Sequence, residues 1–243
     1  MLQPAAHAEQ VPSPASRLQP LTAFSGSLGQ RVYQTLRQAI LSLSYRPGEI
    51  LRKPDICEAL GVSRSPVADA VARLQTEGLV DVVPQAGTFV ARFSMQEIRE
   101  GAFLREAIEV AAIELVAAKI TDDQLQLLRR NLTVQAALIA DGDVGGFYTT
   151  DGAMHELLLS FTGFGKLAQV AETAWLHVNR ARQLILPVPG RVQATLAEHQ
   201  AILAALEARD PVAARAAVQS HLRQLVTYLE PLERERPDLF DPR

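Results

Sequence analysis

At 243 residues the chain is long enough for two ordinary domains, and its 48% hydrophobic residues can supply a sizeable core. Cys57 is the only cysteine, which excludes an intrachain disulfide. The N-terminus has no signal-peptide pattern and no apolar run is long enough to span a membrane, so we expect a cytoplasmic protein without membrane segments.

The formal net charge of −3 is unevenly distributed along the chain. Residues 27–93 hold 8 Lys/Arg against 6 Asp/Glu, whereas residues 94–243 hold 15 against 20. A basic balance confined to one segment is typical of a protein in which one of two domains contacts phosphate.

Both ends of the chain are predicted to lie outside the folded domains. Residues 1–26 are rich in Ala, Pro, Ser and Gln with little to bury, which predicts a disordered arm. Residues 231–243 are predicted to form a C-terminal tail. Two domains are then expected, over residues 27–93 and 94–230.

The segment 27–93 predicts three helices followed by a hairpin. Apolar residues at helical spacing mark a first helix that begins at Leu28 and includes Leu43. A second helix follows, and a third is predicted to be capped by Ser65, with Pro66 at its first position. The segments LVDVV and TFVAR then flank a PQAG turn. This order of elements predicts a winged helix-turn-helix.

Helix-turn-helix geometry alone fits either a DNA-binding domain or a protein-interaction module. The segments VYQTLRQAILSLSYRPGEIL, LGVSRSPVADAVARLQTEGLV and PQAGTFVA, in this order and spacing, resemble the DNA-binding domain of GntR-family bacterial transcription regulators. The resemblance implies that double-stranded operator DNA is the partner. It also implies that Ser63, Arg64 and Ser65 begin the recognition helix, and that Gly87 and Thr88 lie in the wing.

The residue types at the start of this helix suit DNA. A helix N-terminus presents free N–H groups to phosphate, and Arg64 has the length and donors to contact a guanine edge. Arg52, Lys53 and Arg73 are further candidates for phosphate contacts, with solvated surface charges as the equal alternative. The family pattern SRTPVREAL has a second arginine where this chain has Ala68. We therefore expect a different operator preference or a lower affinity.

Residues 94–230 predict helix after helix, without a β signal. Ser94 is expected to cap the first helix, and Thr121 to open the next with a capping box. Apolar spacing predicts one long helix from Phe164 to Ile185, and Asp210 with Pro211 is expected to begin the last helix. The fold class is therefore mainly α, with the winged helix-turn-helix followed by an antiparallel helical bundle.

Polar residues in this bundle form a candidate metal site. Asp151 and His155 stand four residues apart on one helix face, and His199 and His221 lie on two further helices. Three imidazoles and one carboxylate suit a divalent transition metal that keeps positions open for water or ligand. Taken singly, each histidine is more typical of a surface or hydrogen-bonded core position.

The segments LREAIEVAAIELVA, DGAMHELL, EHQAILAALEARD and SHL resemble the FCD ligand-binding domain of the FadR subfamily. The resemblance implies that Asp151, His155, His199 and His221 hold a metal, with zinc as the first choice and nickel or manganese as alternatives. It also implies an effector that is a small organic acid, such as a hydroxy acid, sugar acid or dicarboxylate.

Arg105, Asn179 and Arg182 are the predicted effector-binding residues. Arginine suits a carboxylate because its guanidinium can donate two parallel hydrogen bonds. The alternative for Arg105 is an exposed salt bridge to Glu109, four residues on. His177 falls outside the four metal ligands and is left as a residue in or near the pocket.

Together these features predict a homodimeric transcription regulator that responds to an effector. A metal with open positions also fits a hydrolytic enzyme, although no obvious general base is placed near the ligands and an N-terminal winged helix has no role in such chemistry. A third alternative is a metal that only braces the bundle.

Overall fold

A computed structural model of the chain describes residues 14–242, which divide into two compact units with the boundary between Arg92 and Phe93. The first unit contains three helices of two turns or more and a β-hairpin, and the second is a bundle of helices. The predicted fold class is confirmed, because the fold is mainly helical with a winged helix-turn-helix at its N-terminal end.

The first unit begins with a one-turn helix that was not predicted, α1 (Pro14–Arg17). The predicted order of elements follows: α2 (Leu28–Leu41), α3 (Lys53–Leu60), α4 (Arg64–Thr76), β1 (Val80–Val83) and β2 (Gly87–Val90). The two strands pair antiparallel, with Val80 opposite Val90. The core of this unit includes buried apolar side chains from α2, α3 and α4, among them Val32, Leu36, Ile40, Ile56, Val67 and Leu74. Gly61 ends α3 in the left-handed conformation, at φ 64°, which favours glycine.

Two predicted helix ends were wrong in this unit. Helix α2 ends at Leu41, and Leu43 lies beyond it with a left-handed backbone at φ 58°. Helix α4 begins two residues earlier than predicted, because Ser63 and not Ser65 is its N-cap residue. Pro66 is then the third residue of the helix. An N–H at this position has no carbonyl acceptor within the helix, so no hydrogen bond is lost by having proline there.

Part of the predicted arm is ordered. Leu18 is buried, the Thr35 hydroxyl donates a 2.7 Å hydrogen bond to the Gln19 carbonyl, and Arg17 forms an ion pair with Glu49. The prediction of disorder is therefore wrong for this stretch, since a few side chains suffice to fix it to the first unit. The rest of that prediction, residues 1–13, lies outside the described residues.

The second unit consists of seven helices, apart from one short 3-10 turn, over the described residues: α5 (Met95–Ala117), α6 (Asp122–Ala140), α7 (Val144–Ser160), α8 (Leu167–Ala174), α9 (Leu176–Ile185), α10 (Arg191–Glu207) and α11 (Pro211–Glu235). The predicted caps are confirmed at Ser94, Thr121 and Asp210, whose side chains each accept a backbone N–H. The buried apolar cluster is drawn from α5, α6, α7, α10 and α11.

The predicted long helix from Phe164 to Ile185 is two helices. It begins at Leu167 and breaks at Trp175, between α8 and α9. The break has no proline or glycine to mark it in the sequence. In the structure the buried Trp175 ring lies 5.1 Å below the Arg105 guanidinium, so the break coincides with a contact to another helix.

The predicted tail is partly helical. Helix α11 continues through Pro231 to Glu235, and Phe240 is buried with its ring 5.8 Å from that of Phe93. Over the described residues, no helix combines the length and the apolar character that crossing a bilayer requires.

Candidate metal and ligand site

Four side chains from three helices converge in the second unit. Asp151 and His155 lie one turn apart on α7, His199 lies on α10 and His221 on α11. All four are buried, and each offers a ligand atom within 4.8 Å of the others'. The structure therefore brings together the whole predicted ligand set.

Each imidazole is oriented by a hydrogen bond at Nδ1, the nitrogen away from the cluster. His155 contacts the Glu109 carboxylate at 2.6 Å, and His221 contacts Glu198 at 2.7 Å. His199 contacts the Gln135 carbonyl oxygen at 2.8 Å. These partners hold the three rings so that every Nε2 faces the same point, as is usual for metal-binding histidines.

The same bonds fix the protons of the rings. An ionised carboxylate only accepts, so His155 and His221 must donate from Nδ1. Gln135 donates its amide group to Asn131 at 2.7 Å, which leaves its carbonyl to accept from His199. A neutral ring that donates from Nδ1 carries a lone pair on Nε2, so three lone pairs converge.

This convergence leaves polar atoms unsatisfied. His155 Nε2 and His221 Nε2 are 3.2 Å apart, a contact in which neither neutral ring has a proton to donate. Asp151 Oδ1 and His199 Nε2 are buried without a hydrogen-bond partner among the described residues. Unpaired buried polar atoms are costly and rare. A cation among these four atoms would satisfy all of them, so the residues fit a metal.

Three carboxylates around the site are each paired with an arginine. Glu109 binds Arg105 at 2.6 Å, Glu198 binds Arg191 through two bonds of 2.6 and 2.8 Å, and Asp151 binds Arg182. These six charges sum to zero. A divalent cation would make the site positive, and the site would then favour an anionic ligand.

Burial and neighbouring charges shift the pKa values of the buried carboxylates in opposite directions. Burial alone would raise the pKa of Asp151, but the Arg182 guanidinium beside it holds that pKa well below its usual value. Glu109 is held low in the same way, with Arg105 and His155 outweighing burial in its pKa. Burial also lowers the pKa of His199 and His221, and the neutral imidazole is the form that binds metal.

A small cavity of about 30 Å³, here called the ligand cavity, is lined by two of the four ligands, Asp151 and His221. Its charged and polar lining comes from Arg105, Asp151, Arg182, Arg191, Thr195 and His221. Arg105 is buried, so its salt bridge with Glu109 is not the exposed pair that the sequence left as an alternative. Arg105 uses Nε for Glu109, which leaves its Nη donors for a ligand.

Arg182 and Asn179 lie differently from the prediction. The Arg182 guanidinium lines the ligand cavity but pairs with the metal-site residue Asp151. Asn179 is not among the described residues that line the cavity; its Oδ1 lies 3.4 Å from Arg182 and its carbonyl accepts from Tyr148. His177 faces Glu97 at 3.7 Å, away from the cluster.

Sequence reasoning missed Gln135, Glu198 and Arg191, and treated Glu109 only as a surface partner. Gln135 carried a usable signal, because it continues the buried helical spacing of Leu128 and Leu132 on α6. A polar residue at such a position needs a buried partner. Glu198 and Arg191 gave no comparable signal, since they stand seven residues apart and the other partner of Glu198, His221, lies on a different helix.

The predicted DNA-contacting residues occupy two kinds of position. Ser63, Arg64 and Ser65 are exposed at the start of α4. Ala68 is exposed one turn further on. These positions leave the N-terminal turn of α4 accessible, as a recognition helix requires.

The other residues predicted to contact DNA differ in how exposed their side chains are. The Arg73 guanidinium lies 3.7 Å from the centre of the Tyr33 ring. Arg52 is exposed, whereas Lys53 is half-buried. Gly87 begins β2 beside the hairpin tip, which is formed by residues 84–86.

Thr88 follows Gly87 in β2. Its side chain is buried, and its carbonyl accepts a 2.7 Å hydrogen bond from the Leu51 N–H. The strand alternation that turns the neighbouring residues outward turns the Thr88 side chain into the core, so the predicted DNA contact of Thr88 would have to come from its backbone.

Comparison with known proteins assigns both units. Residues 28–90 match the model of bacterial regulatory proteins of the gntR family, and residues 100–224 match the FCD domain. The chain is 33% identical over 209 residues to an HTH-type transcriptional regulator in an unstable DNA locus of Streptomyces ambofaciens, covering 86% of this chain and 88% of that protein. The chain belongs to the GntR family, in its FadR subfamily with a C-terminal FCD domain.

Further relatives agree with this family. The HTH-type transcriptional repressor RspR of Escherichia coli K12 is 30% identical to the regulator over 213 residues, covering 88% of this chain and 93% of RspR. A crystal structure of a GntR transcriptional regulator from Rhodococcus sp. RHA1 superimposes with a TM-score of 0.72 at 26% identity, covering 83% of this chain and 97% of that one. The protein is therefore a transcription regulator and not an enzyme, which removes the hydrolase alternative.

Proposed function

We propose that the regulator binds operator DNA as a homodimer and that a small carboxylate, held at a metal in the second unit, controls this binding. The observation that carries the proposal is the convergence of three imidazole lone pairs and the Asp151 carboxylate beside arginines. Asp151, His155, His199 and His221 would hold the metal, with zinc favoured over nickel or manganese. The ion would supply positive charge and an open position for an anionic oxygen.

The arginines give the carboxylate its second contact. Arg105 has donors to spare, and Arg191 Nε is buried without a partner although the same side chain binds Glu198. A carboxylate that bridges the metal and one of these arginines would satisfy both charges. The ligand is therefore expected to bind only when the metal is present.

A thermal-shift screen of organic acids tests this dependence. An acid that binds the native state at 100 times its Kd stabilises the protein by about 2.7 kcal/mol. We expect at least one acid to raise the Tm of metal-loaded protein and to leave chelated protein unchanged. If every acid leaves metal-loaded protein unchanged, the metal only braces the bundle.

Arg64 is proposed as the principal base-reading residue, since it is exposed at the first position of α4. Arg64→Ala is expected to weaken operator binding by about 1–3 kcal/mol and to relax specificity at one base position. Arg64→Lys is the matched control, because it keeps the charge but cannot donate bidentately. Fluorescence anisotropy at fixed salt measures both variants, and an Arg64→Ala curve identical to wild type would reject this role.

The proposal of a homodimer rests on the length of DNA that one helix-turn-helix can contact. A single helix-turn-helix contacts only a few base pairs, and two of them related by a two-fold axis match a pseudo-palindrome. On α5, Phe103 is 73% exposed and lines a groove of about 340 Å³ together with Ala107, Ala111 and the charged Glu106, Glu114 and Arg215. An exposed aromatic ring beside side chains of both charge signs is a surface that can pair with its own copy. Sedimentation equilibrium is expected to give two chains per particle; a monomer at operator-binding concentrations would contradict this.

A further inference from the structure

A second cavity lies beside the ligand cavity. It has a volume of about 210 Å³ and is enclosed by the turn between α6 and α7 and the loop between α9 and α10. We call it the outer groove. Its apolar lining includes Ile139, Val144, Phe147, Leu186, Val188 and Val192.

The outer groove and the ligand cavity are neighbours along three elements. Leu186, at the end of α9, lines both. On α10, Arg191 lines the ligand cavity and the next residue, Val192, lines the groove. On α7, Asp151 lines the ligand cavity and Phe147, one turn earlier, lines the groove. Leu186 therefore borders both an arginine-lined space and a mostly apolar one.

The sizes of the two spaces decide where a ligand can lie. The ligand cavity, at about 30 Å³, has room for about two water molecules, which is enough for a carboxylate group and little more. The carbon skeleton of any larger acid must leave it, and the space past Leu186 is the outer groove. Asp143 and Gln193 are the polar side chains of the groove, and a hydroxyl group placed against the rest of the lining would lose hydrogen bonds to water without replacement.

We propose that the effector is a monocarboxylic acid with an apolar tail, its carboxylate in the ligand cavity and its tail in the outer groove. This inference rests on the proposed function, since it assumes that the carboxylate binds at the metal. It narrows the acids implied by the family resemblance, because sugar acids and dicarboxylates would place polar groups in the groove.

A series of straight-chain acids tests the inference. Propanoate, butanoate, hexanoate and octanoate are titrated by calorimetry into zinc-loaded protein, with gluconate as the polar comparison. Each added methylene that enters the groove is expected to tighten binding about fourfold, as its transfer from water predicts. Gluconate is expected to bind no more tightly than propanoate.

Two variants locate the tail. Val192→Asp and Val144→Asp place a charge in the groove within the first turn of a helix, where an acidic residue is tolerated. Both are expected to abolish the gain with chain length while propanoate binds as in wild type. Val212→Asp is the matched control, because Val212 is also the second residue of its helix but is 77% exposed. It is expected to keep the full gain.

The outcomes separate the two claims. If none of the acids binds zinc-loaded protein, the proposed carboxylate site itself is contradicted. If all of them bind with equal affinity, the site stands and the apolar tail is overturned. A chain-length gain that persists in both groove variants also overturns the inference, because the tail then lies elsewhere. Should one variant lose propanoate binding as well, the other decides.

Discussion

Replacing His199 and His221 together by alanine is expected to abolish stoichiometric metal in the purified regulator. The two side chains supply half of the ligand set, and the remaining Asp151 and His155 come from a single helix. Because metal binding stabilises the native state, the variant is also expected to lose the rise in Tm that zinc gives the wild type. Elemental analysis after dialysis measures the content directly.

His177→Ala is the control for this experiment. His177 lies in the same unit but faces Glu97, so its removal is expected to leave one metal per chain. Full metal content in the double histidine variant would mean that the ion binds elsewhere, and the site would have to be abandoned.

Arg182→Leu is expected to destabilise the metal-free protein by about 3–5 kcal/mol, the usual cost of leaving one member of a buried ion pair without its partner. Asp151 is buried and forms an ion pair with Arg182, so the variant leaves the negative charge of Asp151 buried without a partner. Zinc is expected to restore most of the loss, since the cation compensates the same carboxylate. Denaturant unfolding with zinc and with chelator measures the difference.

Trp175, the only tryptophan, lies in the second unit, so its fluorescence follows the unfolding of that unit. Arg129→Leu is the matched control, because it breaks an exposed pair with Glu207 and is expected to cost less than about 1 kcal/mol. An equal loss for Arg182→Leu with and without zinc would show that the metal does not share Asp151 with the arginine.

The elements that the sequence predicted well are those with local causes. A capping side chain lies within a few residues of the N–H from which it accepts a hydrogen bond, as at Thr121 and Asp210. Both helix starts were therefore predictable. Asp151 and His155 were predictable as a pair for the same reason, since they lie one turn apart. His199 and His221 depended on the resemblance to the FCD domain, because nothing local links them.

The residues that orient the site could not be predicted from local spacing. Glu109 lies 46 positions from His155, and Gln135 lies 64 from His199, so only the packing of the helices reveals these contacts. The break at Trp175 was also missed, because no helix-breaking residue marks it; in the structure it coincides with a contact to Arg105 on another helix. The burial of the Thr88 side chain has a simpler reason, because the alternation of a short strand decides which side chains are buried.

The central claim is that a carboxylate at the metal site controls operator binding. Calorimetric titration of the most stabilising acid into zinc-loaded protein, free and bound to operator, tests it most directly. Because coupling is reciprocal, the two acid affinities are expected to differ by the same factor as the acid changes operator affinity, about 5–150-fold. Equal acid affinities for free and operator-bound protein would contradict the claim, since a ligand that does not distinguish the two states cannot regulate them.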